Sequence, residues 1–354
     1  MKLRALPHLG EAWQEPLPAE RFRKLKKAAE AAREAFLDEG TALAVESCDL
    51  ITFPYPADYA FQGAALSPAP YIMMTNRMMV VQYEDPEGER RTLLFNPSDY
   101  ERGQKAPFYA TLRERYGDTL SERVLSKRHG TVEGHLARLG LSPDDVDFIA
   151  FDHLHIQDVR GWLGSYGEPS YFPRAKLLVW RSEWDGAHDP HPIQVPWYVP
   201  GGVDGVADDR VVFLDDDAWL GAGVAILRTP GHTLGNMSLA VSTDEGLFVT
   251  SENAVATECY TPSSSAIRGL SRYAKTLQQE VILNGNTRES TLDQYTSMVV
   301  EKTFAGASTK NPDWVGFFPS SELTASVLSP GLAPSFSFGA LRQGAFRSGL
   351  ARAG

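Results

Sequence analysis

With 354 residues, 43% of them hydrophobic and 22% charged, the chain has enough apolar material for one large α/β domain with extensions, or for two domains. A net charge of −11 argues against nucleic acid as a partner, because that binding rests on neutralising phosphates. The two cysteines, Cys48 and Cys259, exclude a disulfide framework and a four-thiolate metal site. With no signal-peptide core and no apolar run of membrane-spanning length, a soluble cytoplasmic protein with no membrane contact is expected.

Residues 1 to about 18 contain Pro7, Pro16 and Pro18 and read as irregular. Residues 19–38 are rich in helix formers, with Phe22, Leu25, Ala28, Ala29, Ala32 and Phe36 near one face and Gly40 as a stop, so residues 1–41 are expected to be an extension carrying one helix. From Thr41 the pattern becomes β-prone. TALAVESCDLITF gives one strand, and YIMMTNRMMVVQY and RTLLFNP give two more around the Pro-Gly turn of DPEGER. Met73, Met74, Met78 and Met79 in the second of these read as adaptable core rather than as ligands.

Residues 99–140 should be helical and looped, with Gly140 as a C-cap and His135 structural or exposed. Val146–Phe151 reads as a buried strand, Arg174–Trp180 as another, and 185–209 as a long functional or mobile loop dense in Pro, Gly, Asp and His. VVFL and GVAILR are expected to be a strand pair leading to His232. A hairpin around Asp244–Gly246 then leads to Glu252. SAIRGLSRYAKTLQQE predicts a helix, VILNGN a short strand and turn, and STLDQYTSMVVEKTFA a further helix. Residues 42–305 would form the main domain and 306–354 an aperiodic tail. The alternation of strands and helices predicts an α/β class.

The chemistry gathers at four of these strand ends. FDHLHIQD places His153 and His155 two residues apart, so the pleat turns both imidazoles to one side. His232 follows Thr-Pro-Gly, where Gly231 lets the backbone turn tightly and aim the ring inward. Glu252 and Asn286 close the other two ends. Three neutral imidazoles with an open position make a workable zinc site, able to bring the pKa of bound water down to about 7. Asp158 and Glu252 are read either as further ligands and the catalytic base or as partners that orient the histidines. His188 and His191 lie in the 185–209 loop and read as an exposed pair. Trp162, Tyr166, Trp184, Trp197 and Tyr198 are candidates for an aromatic pocket wall or plain packing. Ser238 and Ser251 lack a nucleophile elbow, and no Gly-rich phosphate loop is present.

The arrangement resembles the metallo-β-lactamase superfamily. DFIAFDHLH is similar to its His-x-His-x-Asp-His approach and RTPGHTLGNMSL to its third-histidine turn, over about residues 42–300. The resemblance implies an αββα sandwich of two mixed β-sheets flanked by helices, with a first metal on His153, His155 and His232. It also locates the departures. Gln157-Asp158 stands where Asp-His belongs, Glu252 where a bridging Asp belongs, and Gly285-Asn286 where the late Gly-His belongs. The implied activity is a metallohydrolase of a small molecule, holding one zinc ion whose hydroxide attacks an ester, lactone, amide or similar bond. Oxygen ligands at the altered positions would instead suit iron or manganese in a redox metalloprotein. A lapsed member that binds a ligand is the third reading.

Overall fold

The computed structural model describes residues 3–117, 126–286 and 290–349. Its strands are β1 (Arg4–Ala5), β2 (Ala44–Pro56), β3 (Tyr71–Glu84), β4 (Arg90–Phe95), β5 (Lys127–Arg128), β6 (Phe148–Ala150), β7 (Lys176–Trp180), β8 (Val211–Leu214), β9 (Ala218–Gly221), β10 (Val224–Arg228), β11 (Met237–Thr243), β12 (Gly246–Thr250), β13 (Ser321–Thr324) and β14 (Arg342–Gln343). They form a five-stranded sheet in the order β1-β9-β10-β11-β12 and a nine-stranded sheet in the order β14-β2-β3-β4-β6-β7-β8, with β13 on β3 and β5 on β2. In the larger sheet β4, β6, β7 and β8 are parallel, and its other pairings are antiparallel.

The layering follows from a period of two in the apolar residues. Val224 and Ile226 of β10 and Met237, Leu239 and Val241 of β11 meet Met79, Val81, Leu93, Phe95, Leu178 and Trp180 of the other sheet in one buried cluster. The alternate residues face outward onto helices. Ala225, Leu227 and Ala240 join a cluster with Leu25, Ala29 and Phe36 of helix Pro18–Leu37 and Met298 and Phe304 of helix Thr291–Ala305. Met78, Val80, Leu94, Leu177 and Val179 pack with Val132 and Leu136 of helix Val132–Arg138 and with Trp184 of helix Arg181–His188. The result is an αββα sandwich, the architecture that the sequence resemblance implies.

Several local expectations differ from the structure. β8 and β10 do not pair: β8 lies beside β7 in the larger sheet, and β10 lies between β9 and β11 in the smaller one. The chain changes sheets at residues 215–217, and β9 takes the place beside β10. VILNGN is not a strand; its backbone bonds go to short helical turns instead. Ile282 donates to the Cys259 carbonyl at 2.8 Å and Gly285 to that of Tyr59 at 2.6 Å. The helix expected over 265–280 is confined to Leu270–Leu277, between positive φ at Gly269 (105°) and Gln278 (54°). The long loop is helical as far as His188.

The outer segments join the same layers. The amino-terminal helix packs Phe36 against Phe304 with ring centroids 5.5 Å apart, and β1 extends the smaller sheet. In the stretch read as an aperiodic tail, β13 and β14 complete the larger sheet. No helix among the described residues is long and apolar enough to cross a membrane.

Candidate metal centre

The carboxyl ends of β4, β6, β10 and β12 meet at one rim of the sandwich, the place where open α/β sheets gather their functional loops. His153 and His155 follow β6, His232 follows β10, and Glu252 follows β12. The structure brings the three histidines together, with one ring nitrogen from each within 4.8 Å of the others, and all three are buried. His155 Nδ1 faces His232 Nε2 at 3.3 Å. Two nitrogens bound about 2.0–2.1 Å from one tetrahedral ion stand about 3.4 Å apart, so the His155–His232 pair already has the spacing of two zinc ligands.

The outer ring nitrogens are held from behind. His153 Nδ1 is 2.8 Å from Asp152 Oδ1, and Asp152 in turn accepts from Asn96 Nδ2 (3.0 Å) and Ser320 Oγ (2.5 Å). His232 Nδ1 lies 3.5 Å from the Asn284 amide, and the His232 backbone N–H donates to Asn253 Oδ1 at 3.1 Å. Asn253 is fixed by Glu301, a fully buried carboxyl that also receives the hydroxyls of Ser238, Ser251 and Tyr260. Such outer partners set the orientation and basicity of ligating imidazoles. None of Asp152, Asn253, Asn284 and Glu301 announces this role in sequence. The one signal is their position one to two residues from a candidate ligand or on a neighbouring element.

Protonation follows the same layout. Burial works against a charged His153, but the Asp152 carboxylate outweighs it and raises the ring to about 9. Burial, reinforced by the charge on His153, holds His155 and His232 well below the ordinary histidine range, so both offer free lone pairs. Burial pushes Glu252 up to about 7, opposed by His153, reinforced by Asp152 and lowered by the Ser321 hydroxyl.

A cleft of about 460 Å³ opens onto the histidines. Glu252, Gln157, Asn286, Asn76 and Asn96 line it, with Phe53, Tyr55, Phe108, Tyr109 and Trp197 as an aromatic wall. Trp197 stacks on Phe108 at 4.3 Å. No lysine or arginine is among its described lining residues. Ile156 sits between the second histidine and Gln157 with φ of 57°, a conformation that strains a β-branched side chain.

The remaining candidates fall elsewhere. Asp158 is buried, and both its oxygens take hydrogen bonds from Arg160 (2.8 and 2.7 Å), with Arg102 at 3.6 Å; it is not part of the histidine cluster. Gln157 donates to Ser98 Oγ at 2.9 Å. Of the five candidate wall aromatics, Trp197 lines the cleft and Tyr198 packs edge-on to His155 at 4.8 Å. Trp162 and Trp184 are core, and Tyr166 is 93% exposed. His188 lies 3.2 Å from Asp204, and His191 is exposed with Nδ1 accepting from the Ile193 backbone. Neither lines the cleft.

Comparison with known proteins finds partial and distant similarities. No family model matches the chain. An N-acyl homoserine lactonase from a Bacillus species is 28% identical over 110 residues, which is 31% of this chain and 38% of that relative's length. Among solved structures, a dizinc quorum-quenching lactonase called AidC is similar over 87% of this chain and 96% of its own, at 14% identity and a TM-score of 0.49. A probable metal-dependent hydrolase from Staphylococcus aureus is similar over 74% of this chain and 83% of its own, at 13% identity and a TM-score of 0.49. The αββα layering seen here is the one that the sequence resemblance implies.

Proposed function

We propose that this protein is a metal-dependent hydrolase that holds a single zinc ion on His153, His155 and His232 and cleaves an uncharged ester or lactone. The observation that carries the reading is the convergence of three imidazoles in a buried cleft that contains two carboxyl groups and no described lysine or arginine. Zinc, when bound, supplies Lewis-acid chemistry at that point. The chain's own residues do the rest. Glu252, a carboxyl on the cleft wall that burial raises to about 7 before metal binds, is the residue we assign to proton transfer. Gln157, a neutral amide, cannot accept a proton and serves to orient the substrate through hydrogen bonds. The aromatic wall excludes water and receives apolar substrate surface.

Charge selects the substrate class. Asp152 is paired with His153, and Glu252 lines the cleft with no lysine or arginine beside it, so apart from the metal nothing there holds the charge of a phosphoester or a carboxylate-bearing substrate. The partial match to a lactonase supports a lactone among the uncharged candidates.

A single zinc is favoured over two because the second position offers a neutral Gln157, a neutral Asn286 and an Asp158 already neutralised by arginine. The test is a panel of aryl ester, N-acyl homoserine lactone, thioester and phosphoester given to zinc-loaded protein, with and without chelator. Ester or lactone turnover at least about 100-fold above phosphoester, abolished by chelator, is expected. Equal or preferred phosphoester cleavage would overturn the reading.

A further inference from the structure

We propose that Glu183 is a positioning residue whose carboxylate clasps the two histidine-bearing loops together for metal binding. This rests on reading the three histidines as metal ligands.

Glu183 lies in the first turn of helix Arg181–His188, directly after β7, and is 2% exposed. A buried carboxylate is costly unless its oxygens are well supplied with donors. Here the donors come from three separate segments, and each adjoins a histidine. The backbone N–H of Leu154, between His153 and His155, donates to Oε1 at 2.7 Å. The Tyr198 hydroxyl donates to the same oxygen at 3.0 Å, and its ring packs edge-on to His155. The Thr233 hydroxyl, one residue after His232, donates to Oε2.

The third loop is also moulded onto Glu183. A Cβ on Gly235 would come within 2.4 Å of the Glu183 backbone nitrogen and of its Cβ, so a glycine is needed for this approach. The loops carrying His155 and His232 come from different sheets, joined at their bases by the Met237 backbone N–H donating to the Asp152 carbonyl at 2.9 Å. Glu183 bonds to both. None of its three donors carries a charge, so its negative charge stays available to favour a cation at the histidines.

Zinc release into a chromogenic chelator, run on intact protein beside urea unfolding of the metal-free form, tests this. Wild type is read first. If it binds no zinc, the ligand reading fails and this proposal falls with it. If it does, Glu183→Ala should release zinc about 10–100-fold faster, and Thr233→Val and Glu183→Gln by smaller factors of about 3–10. The cobalt-substituted Glu183→Gln protein should show a shifted visible spectrum, because the ligand geometry relaxes. Should Glu183→Ala fail to fold, the two milder variants decide. Wild-type release rates and cobalt spectra in both of them, whatever happens to unfolding of the metal-free form, would reduce Glu183 to a structural core residue and overturn the proposal.

Discussion

On one side of the cleft, three neutral or neutralisable imidazoles are backed by Asp152 and the amides of Asn253 and Asn284. On the other, where the resemblance implies a second cation, the chain supplies Gln157, Asn286 and an aspartate already paired with Arg160 and Arg102. Both sides are buried and polar, and oxygen atoms are plentiful on each. What separates them is uncompensated charge. The first side balances the Asp152 carboxylate only with the His153 ring, which gives up a proton when a metal takes one of its nitrogens, whereas the second has balanced its one carboxylate with two guanidinium groups. A cation gains only where negative charge is left over.

Removing His232 breaks the comparison outright. His232→Ala should reduce zinc from about one ion per chain to almost none and abolish hydrolysis, with the far-ultraviolet circular dichroism retained, since the loop is held by Asn253 through its backbone. Retention of full metal content, measured by mass spectrometry, would sink the assignment.

The opposite side should respond differently. Asp158→Ala strands Arg160 and Arg102, both about a quarter exposed, and should cost about 1–3 kcal/mol of stability in urea melts while zinc content stays unchanged. Loss of zinc in that variant would mean that Asp158 is a ligand after all.

Glu252 stands between the two sides and sharpens the contrast through pH. Its folded carboxyl is raised from 4.5 to about 7, so its contribution to stability is fully present below about 4.5 and is lost as pH rises through 7. In metal-free protein, Glu252→Gln should flatten that part of the pH–stability curve by about 1–2 kcal/mol, discounted because the side chain is partly open to the cleft. An unchanged slope between pH 5 and 8 would show that Glu252 does not carry the effect.

The layers of the fold and the three histidines were legible because they depend on local signals. Period-two alternation in β3, β10 and β11 sets which face is buried, and a strand end sets where His153, His155 and His232 point. Pairing partners were not legible. Nothing within VVFL says that its neighbour is β7 rather than the next strand in sequence, and β13 and β14 are only four and two residues long, too short to carry a period. VILNGN has the composition of a strand, but the backbone N–H groups of Ile282 and Gly285 donate to the short helical turns at Cys259 and Tyr59, more than twenty residues away. The groups behind the histidines were hidden for the same reason: Glu183 reaches Leu154 across 29 positions and Asn284 reaches His232 across 52.

The hydroxyl of Ser320 on Asp152 bridges 168 positions, and its neighbour Ser321 bonds to Glu252. During synthesis, at about 5–20 residues per second, the histidine loops leave the ribosome many seconds before these donors do. Until β13 docks on β3, Asp152 lacks one of its buried donors and the Met73–Asn76 stretch of β3 presents an unpaired edge beside the cleft. A nascent chain stalled before residue 320 therefore has its three histidines but not the donors that Ser320 and Ser321 supply to Asp152 and Glu252.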